Sequence, residues 1–145
     1  MKKLLPLLSV LFLIYWGCEE KEEDTKGSCE DCGLKISSTL PVDNNGIYQL
    51  EHDGNQVQTF TTLTGETNCG WSQHLQWDTD YQYKINTDWV SLVNPSSMTD
   101  ENGIGLVIFG TWEEFIGNTI TVYCGYTDDC ENHHLDSLKI RINSN

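Results

Sequence analysis

The densest collection of groups able to do chemistry is the stretch Thr127-Asp128-Asp129-Cys130-Glu131-Asn132-His133-His134-Leu135-Asp136, which holds four carboxylates and two imidazoles. Asp128, Asp129, Glu131, His133 and His134 form a candidate metal set: carboxylate oxygens at this density could hold Ca²⁺, and the imidazoles a transition metal. The segment lacks the alternating Asp/Asn-Gly order of an EF-hand, and its plainer reading is a solvated loop pinned by Cys130. A second set is aromatic: Trp71, Trp77, Trp89 and Trp112, with Tyr81, Tyr83, Tyr123 and Tyr126. Buried Trp fills β-sandwich cores, so Trp77 and Trp89 are expected inside. Trp71 beside Gly70, and Trp112 beside Gly110-Thr111, are expected in loops. They are the candidate platform for a glycan, a ring lying on the C–H face of a pyranose while neighbouring acids take its hydroxyls.

Catalysis finds less support. His52, His74, His133 and His134 could each serve as acid or base, but no Gly-x-Ser-x-Gly or His-Glu-x-x-His motif accompanies them. Asp78 with Asp80, and Glu113 with Glu114, lie too close in sequence to flank a glycosidic bond from opposite sides. The glycines read as turn formers, none of them in a phosphate-cradling loop. The expectation is a chain that is not an enzyme and has no cofactor beyond the Ca²⁺ named above.

The N-terminus carries an address. Met1-Lys2-Lys3 precedes an apolar run from Leu4 to Trp16, too short to span a bilayer and of the right length for a secretory signal. Gly17-Cys18 resembles the lipobox of bacterial lipoproteins, although Tyr15 and Trp16 stand where those usually have Leu and a small residue. The resemblance implies cleavage before Cys18 and lipid on it, with residues 1–17 a signal peptide. Residues 18–27, Cys18-Glu19-Glu20-Lys21-Glu22-Glu23-Asp24-Thr25-Lys26-Gly27, bury nothing and read as an acidic disordered tether. An acidic run behind the lipidated Cys resembles the signal for outer-membrane, cell-surface display; a plain spacer is the alternative. Two or three acyl chains anchor firmly, so the membrane is met through lipid. The chain has 8 Lys and Arg against 22 Asp and Glu, a net charge of −14, and loss of the two leader lysines takes it to −16. Such a surface repels phosphate backbones and anionic headgroups, which excludes nucleic acid as a natural partner.

Besides Cys18 there remain Cys29, Cys32, Cys69, Cys124 and Cys130, the disulfide candidates of an exported chain. Sequence does not fix the pairing. Proximity favours Cys124 with Cys130, and Cys69 with either Cys29 or Cys32 would staple the N-terminal segment to the fold. A zinc knuckle of Cys29 and Cys32 completed by Cys124 and Cys130 is a further arrangement.

Around these groups the dominant period is two. Leu138-Lys139-Ile140-Arg141-Ile142 alternates strictly. Thr119-Ile120-Thr121-Val122-Tyr123-Cys124 turns Ile120, Val122 and Cys124 inward, and Tyr81-Gln82-Tyr83-Lys84-Ile85 is a third strand. Ile104-Gly105-Leu106-Val107-Ile108-Phe109 is nearly continuous in apolar residues, as a central strand covered on both sides would be. Asp53-Gly54 predicts a hairpin joining 47–51 to 56–60. Asn45-Gly46, Asn94-Pro95, Asn102-Gly103 and Gly117-Asn118 mark further reversals. One helical turn is expected near Trp112-Glu113-Glu114-Phe115. Residues 28–145 are thus expected to form one all-β domain, an immunoglobulin-like β-sandwich of seven to eight antiparallel strands, with a small closed barrel as alternative.

Asp88-Trp89-Val90-Ser91-Leu92, Asn94-Pro95-Ser96-Ser97, the run 104–109, Asn118-Thr119-Ile120-Thr121-Val122 and the strand 137–142 together resemble a BACON-type domain over residues 81–142. This immunoglobulin-like module is common in bacterial surface lipoproteins and carbohydrate-degrading enzymes. The family's Arg before the Thr-Ile-Thr-Val strand is missing, and the insertion at 124–134 is atypical. The resemblance implies a spacer or a glycan- or mucin-facing module without catalytic residues. Three functions follow, each with its own structural signature. A glycan-binding module needs an exposed aromatic platform. A structural or assembly subunit that meets another surface protein needs an exposed apolar edge. A small hydrolase needs a pocket holding a His with a carboxylate neighbour.

Overall fold

Strict alternation produces the wall of the molecule. In the computed structural model, which describes residues 31–69, 72–85 and 87–145, Ile120, Val122, Cys124 and Tyr126 all face inward from one strand, and Leu138, Ile140 and Ile142 from its neighbour. Ten strands are described: β1 (Leu34–Ser38), β2 (Tyr48–His52), β3 (Gln58–Thr67), β4 (His74–Thr79), β5 (Tyr83–Ile85), β6 (Asp88–Val90), β7 (Ser96–Met98), β8 (Ile104–Trp112), β9 (Thr119–Thr127) and β10 (His133–Ser144). A single 3₁₀ turn, Glu113–Phe115, sits where the sequence predicts one.

The strands make a three-stranded sheet ordered β1-β3-β8 and a five-stranded sheet ordered β2-β10-β9-β4-β7, with β5-β6 as a separate hairpin. The pairings are antiparallel except that of β2 with β10, which is parallel. This is an all-β, immunoglobulin-like sandwich with open edges, in place of the alternative closed barrel, and with ten strands where seven to eight were expected. One cluster of buried side chains lies between the sheets, with Ile36, Leu63, Val107 and Phe109 on one side and Leu75, Trp77, Ile120, Val122, Ile140 and Ile142 on the other.

Two glycines fix how closely the sheets approach. Gly65 of β3 and Gly105 of β8 stand opposite each other. A Cβ on Gly65 would lie 2.6 Å from Leu75 Cδ1 and 2.9 Å from Trp77 Cζ2, and one on Gly105 would lie 2.9 Å from the same Leu75 atom. The pair forms a slot into which β4 lowers Leu75 and Trp77. The indole N–H of Trp77 then donates to Ser97 Oγ at 3.0 Å, satisfying the polar tip of a buried ring. These in-strand glycines correct the reading of glycine as a turn former here, which holds for Gly46, Gly103 and Gly117, all at positive φ.

Several expectations are overturned. At Asp53-Gly54 the chain does turn, with Gln56 N–H donating to Asp53 O at 2.9 Å, but β2 joins the five-stranded sheet and β3 the other. The turn is an arch between layers, because local turn chemistry sets a reversal and not the partner of the next strand. Buried His52 braces the arch, its Nδ1 hydrogen-bonded to Thr59 Oγ1 at 2.9 Å. The apolar run in β8 is an edge strand with one face in solvent, and its even-numbered side chains have no layer above them. Trp89 is not core: it is 66 % exposed, because β5 and β6 lie outside both sheets. Cys124 is a free, buried thiol, since mid-strand inward placement points it into the core and away from the turn that carries Cys130. Cys69 pairs with Cys32, and Cys130 is disulfide-bonded but not to Cys124; with Cys32 and Cys130 so engaged, the zinc-knuckle arrangement is not formed. Cys18, Cys29, Trp71, the signal peptide and the tether lie outside the described residues.

Candidate functional site

The acidic loop between β9 and β10 is organised from within. Buried Asp128 accepts the backbone N–H groups of Cys130 and Asn132, both at 2.9 Å, and the Asn132 side chain at 3.2 Å. It also pairs with His134 Nε2 at 2.8 Å. The His134 bond, outweighing the opposing effect of desolvation and helped by the loop's N–H donors, pulls the Asp128 carboxyl down to about 2. His134 stacks on Tyr126 at 4.8 Å, and the Tyr126 hydroxyl is shared with Thr67 Oγ1 at 2.7 Å. Among the described residues one donor group has metal-like spacing, Cys32, Asp128 and His134, with ligand atoms within 4.8 Å of one another. Its sulfur is locked in a disulfide and its carboxylate is spent on the loop, so the donor set does not suit a cation. Asp129, Glu131 and His133 stand apart from it, exposed, with His133 Nδ1 bonded to Thr127 Oγ1 at 2.9 Å.

The remaining histidines do not converge. His52 is in the core, and His74 is exposed on β4. The His134–Asp128 pair has the base and carboxylate of a hydrolytic arrangement, but among the described residues the His134 side chain hydrogen-bonds nothing else.

Trp112 is the last residue of β8 and half-buried, not in a loop. It lies 5.2 Å from the Tyr83 ring and 6.3 Å from Phe115, closing one end of the core. Tyr83 donates its hydroxyl to Glu114 at 3.1 Å, and that bond, with desolvation and the carboxylate's charge behind it, raises the Tyr83 pKa. Exposed Trp89 carries Lys84 Nζ over its ring at 5.3 Å.

Two surfaces that sequence reasoning missed are more open to a ligand. The first is the outer face of the three-stranded sheet. Leu106 and Phe60 are each 59 % exposed and Ile108 53 %. The register puts Ile104, Leu106, Ile108, Gly110 and Trp112 on one face with Glu66, Thr64, Thr62, Phe60 and Gln58 opposite them. Phe60 lies over Gly110, where a Cβ would stand only 2.8 Å from its ring. Beside this stripe, Leu106, Ile108 and Ile104 share a groove of about 720 Å³ with Met98, Asp100 and Thr62. Asp100 is the one charged residue that lines it, and Glu66, opposite Ile104 on the same face, stands beside Lys35 of β1. The backbone edge of β8 is largely closed. Gly110 N–H donates to Leu92 O at 2.7 Å, Asn94 N–H to Ile108 O at 3.2 Å and Asp100 N–H to Ile104 O at 2.9 Å. The face, not the edge, is what β8 offers. The sequence carries no signal for it, because the apolar run Ile104–Phe109 reads the same whether or not a layer covers its second face.

The second surface is the outer face of the five-stranded sheet, where His74, Gln76, Asp78, Ser96, Tyr123, Gly125 and Leu135 line a shallow groove of about 570 Å³.

No protein-family model and no curated protein matches the chain. Among solved structures it is similar to a family 123 glycoside hydrolase from Clostridium perfringens, solved in connection with glycolipid glycan hydrolysis, at 10 % identity and a TM-score of 0.42 over 77 % of this chain. It spans 27 % of that hydrolase. It is likewise similar to murine CRIg, at 10 % identity and a TM-score of 0.42, over 79 % of this chain and 98 % of the other. Likenesses this distant carry no functional information.

Proposed function

We propose that this protein is a lipid-anchored surface protein of the outer membrane whose sandwich is a non-catalytic docking module for another protein. The assembly-subunit reading is favoured over the Trp71/Trp112 platform by one observation, the exposed apolar stripe of Leu106, Ile108 and Phe60, continued by half-buried Ile104. Contiguous apolar surface rimmed by charge is the usual mark of a protein interface. Asp100 in the groove and the net charge of −16 left after loss of the leader lysines select the partner: an apolar surface flanked by Lys or Arg, which is steered in by the carboxylates. A second copy of this chain would bring like charge to like charge. Because the 91–100 segment occupies most of the β8 edge, the partner lies on the sheet face and does not extend the sheet.

The test is photo-crosslinking in the native envelope, with the reactive amino acid placed at Leu106 and, as control, at exposed Val42. The docking module gives a discrete adduct from position 106 alone, and Asp100→Lys lowers its yield. Equal smears from both positions, or no adduct, refute docking. Mass spectrometry of the mature N-terminus tests the anchor separately. An unmodified Cys18 removes the lipid and leaves the docking face standing.

A further inference from the structure

We infer that the outer face of the five-stranded sheet is a binding groove for a neutral saccharide, independent of the docking face on the opposite side. The register assembles it in two rows. Gln76 of β4 stands opposite Gly125 of β9, which stands opposite Leu135 of β10, and Asp78 stands opposite Tyr123, itself opposite Ser137. Ser96 of β7 extends the first row beyond Gln76. All these side chains point outward because their chain neighbours Leu75, Trp77, Val122 and Cys124 point into the core.

Gly125 makes the depression. With no side chain there, the floor drops to the backbone between the Tyr123 ring and Leu135, and an added Cβ would press on His134 O at 3.2 Å and Leu135 Cδ1 at 3.4 Å. The polar groups around it are unspent. Among the described residues, nothing hydrogen-bonds the side chains of Gln76, Ser96 or Tyr123, and Asp78 uses only Oδ1, accepting Thr79 N–H at 2.8 Å. An amide offering two donors and an acceptor, a free carboxylate oxygen and two hydroxyls, ranged about one ring, match a molecule with an apolar C–H face and hydroxyls around its rim. A volume of about 570 Å³ is within the usual range for small ligands and takes one or two sugar units. Asp78 and the acidity of the whole chain exclude sulfated and sialylated glycans. A peptide is the poorer fit, because a sheet face offers side chains and no backbone ladder to an extended chain.

The test is amide chemical-shift mapping on the ¹⁵N-labelled full chain, titrated to millimolar concentration with neutral gluco-, galacto-, manno- and N-acetylhexosamine oligosaccharides. Sialylated and sulfated oligosaccharides and a basic extended peptide run in parallel. At least one neutral sugar is expected to move the amides of Gln76, Tyr123, Gly125 and Leu135 saturably. Tyr123→Ala weakens that sugar about tenfold or more, and Gln76→Ala about fivefold, with circular dichroism unchanged. Both side chains are exposed or unbonded, so neither variant threatens the fold, and each checks the other. The inference is overturned if no neutral sugar perturbs these amides, if the perturbed amides lie elsewhere, if only an anionic glycan or the peptide binds, or if both variants bind as the parent does.

Discussion

The glycine slot beneath β4 makes the sharpest demand on stability. Replacing Gly65 by Ala places a methyl carbon 2.6 Å from Leu75 Cδ1 and 2.9 Å from Trp77 Cζ2, inside distances that real side chains never keep. Leu75 is fully buried and Trp77 nearly so, so neither can swing into solvent. Overpacking of this kind costs about 1–3 kcal/mol. Removing a strand glycine returns roughly 0.5 kcal/mol of chain entropy, for a net loss of about 1–2 kcal/mol. In a domain of this size that lowers Tm by roughly 3–10 °C. Urea unfolding followed by tryptophan fluorescence measures it, with Trp77 reporting from the slot itself. Gly54→Ala is the control: nothing lies within 4 Å of its Cβ, so it leaves the midpoint unchanged or raises it slightly. Combining Gly65→Ala with Leu75→Val removes the clashing methyl, so the double variant loses less than the sum of the singles, by about 1 kcal/mol. An unchanged midpoint in Gly65→Ala, or strict additivity of the pair, would refute the slot.

Three further outcomes follow from the same structure. Joint replacement of Cys32 and Cys69 by Ser opens a loop spanning 37 positions and lowers stability by about 3–4 kcal/mol on the chain-entropy account, read as a shift in the urea midpoint. Burial, reinforced by the charge of Asp136, pushes the Cys124 thiol up to about 12; peptide mapping after iodoacetamide at pH 8 finds Cys124 unmodified in the native chain and alkylated in urea. Asp128 titrates at about 2 when folded against an ordinary 3.8. Its ionised form therefore stabilises the fold above pH 4 and loses that effect as pH falls toward 2. The stability gap between the parent and Asp128→Asn closes across that window in acid titrations, and a gap constant from pH 6 to 2 would contradict the assignment.

The inward sets of β9 and β10 were legible residue by residue, because strict alternation leaves one register that buries Ile120, Val122, Leu138, Ile140 and Ile142 together. The reversals at Gly46, Gly103 and Gly117 were legible too, since few residues but glycine tolerate positive φ. The candidate site was not. Trp112 and Trp89 exchanged roles because a tryptophan looks the same in sequence whether its strand joins a sheet, as β8 does, or stands outside both, as β6 does.

Local chemistry alone thus determined that the chain is a succession of short amphipathic strands with turns between them, and that its charge disfavours anionic partners. What only the tertiary structure decided was the company each strand keeps. The arch at Asp53-Gly54 sends β3 away from β2, and β8 becomes an edge with a bare apolar face. Gln76, Gly125 and Leu135 come into one row although 49 positions separate the first two. Sheet pairing is a long-range choice made by total burial, and a period of two fixes only which side of a strand is wet.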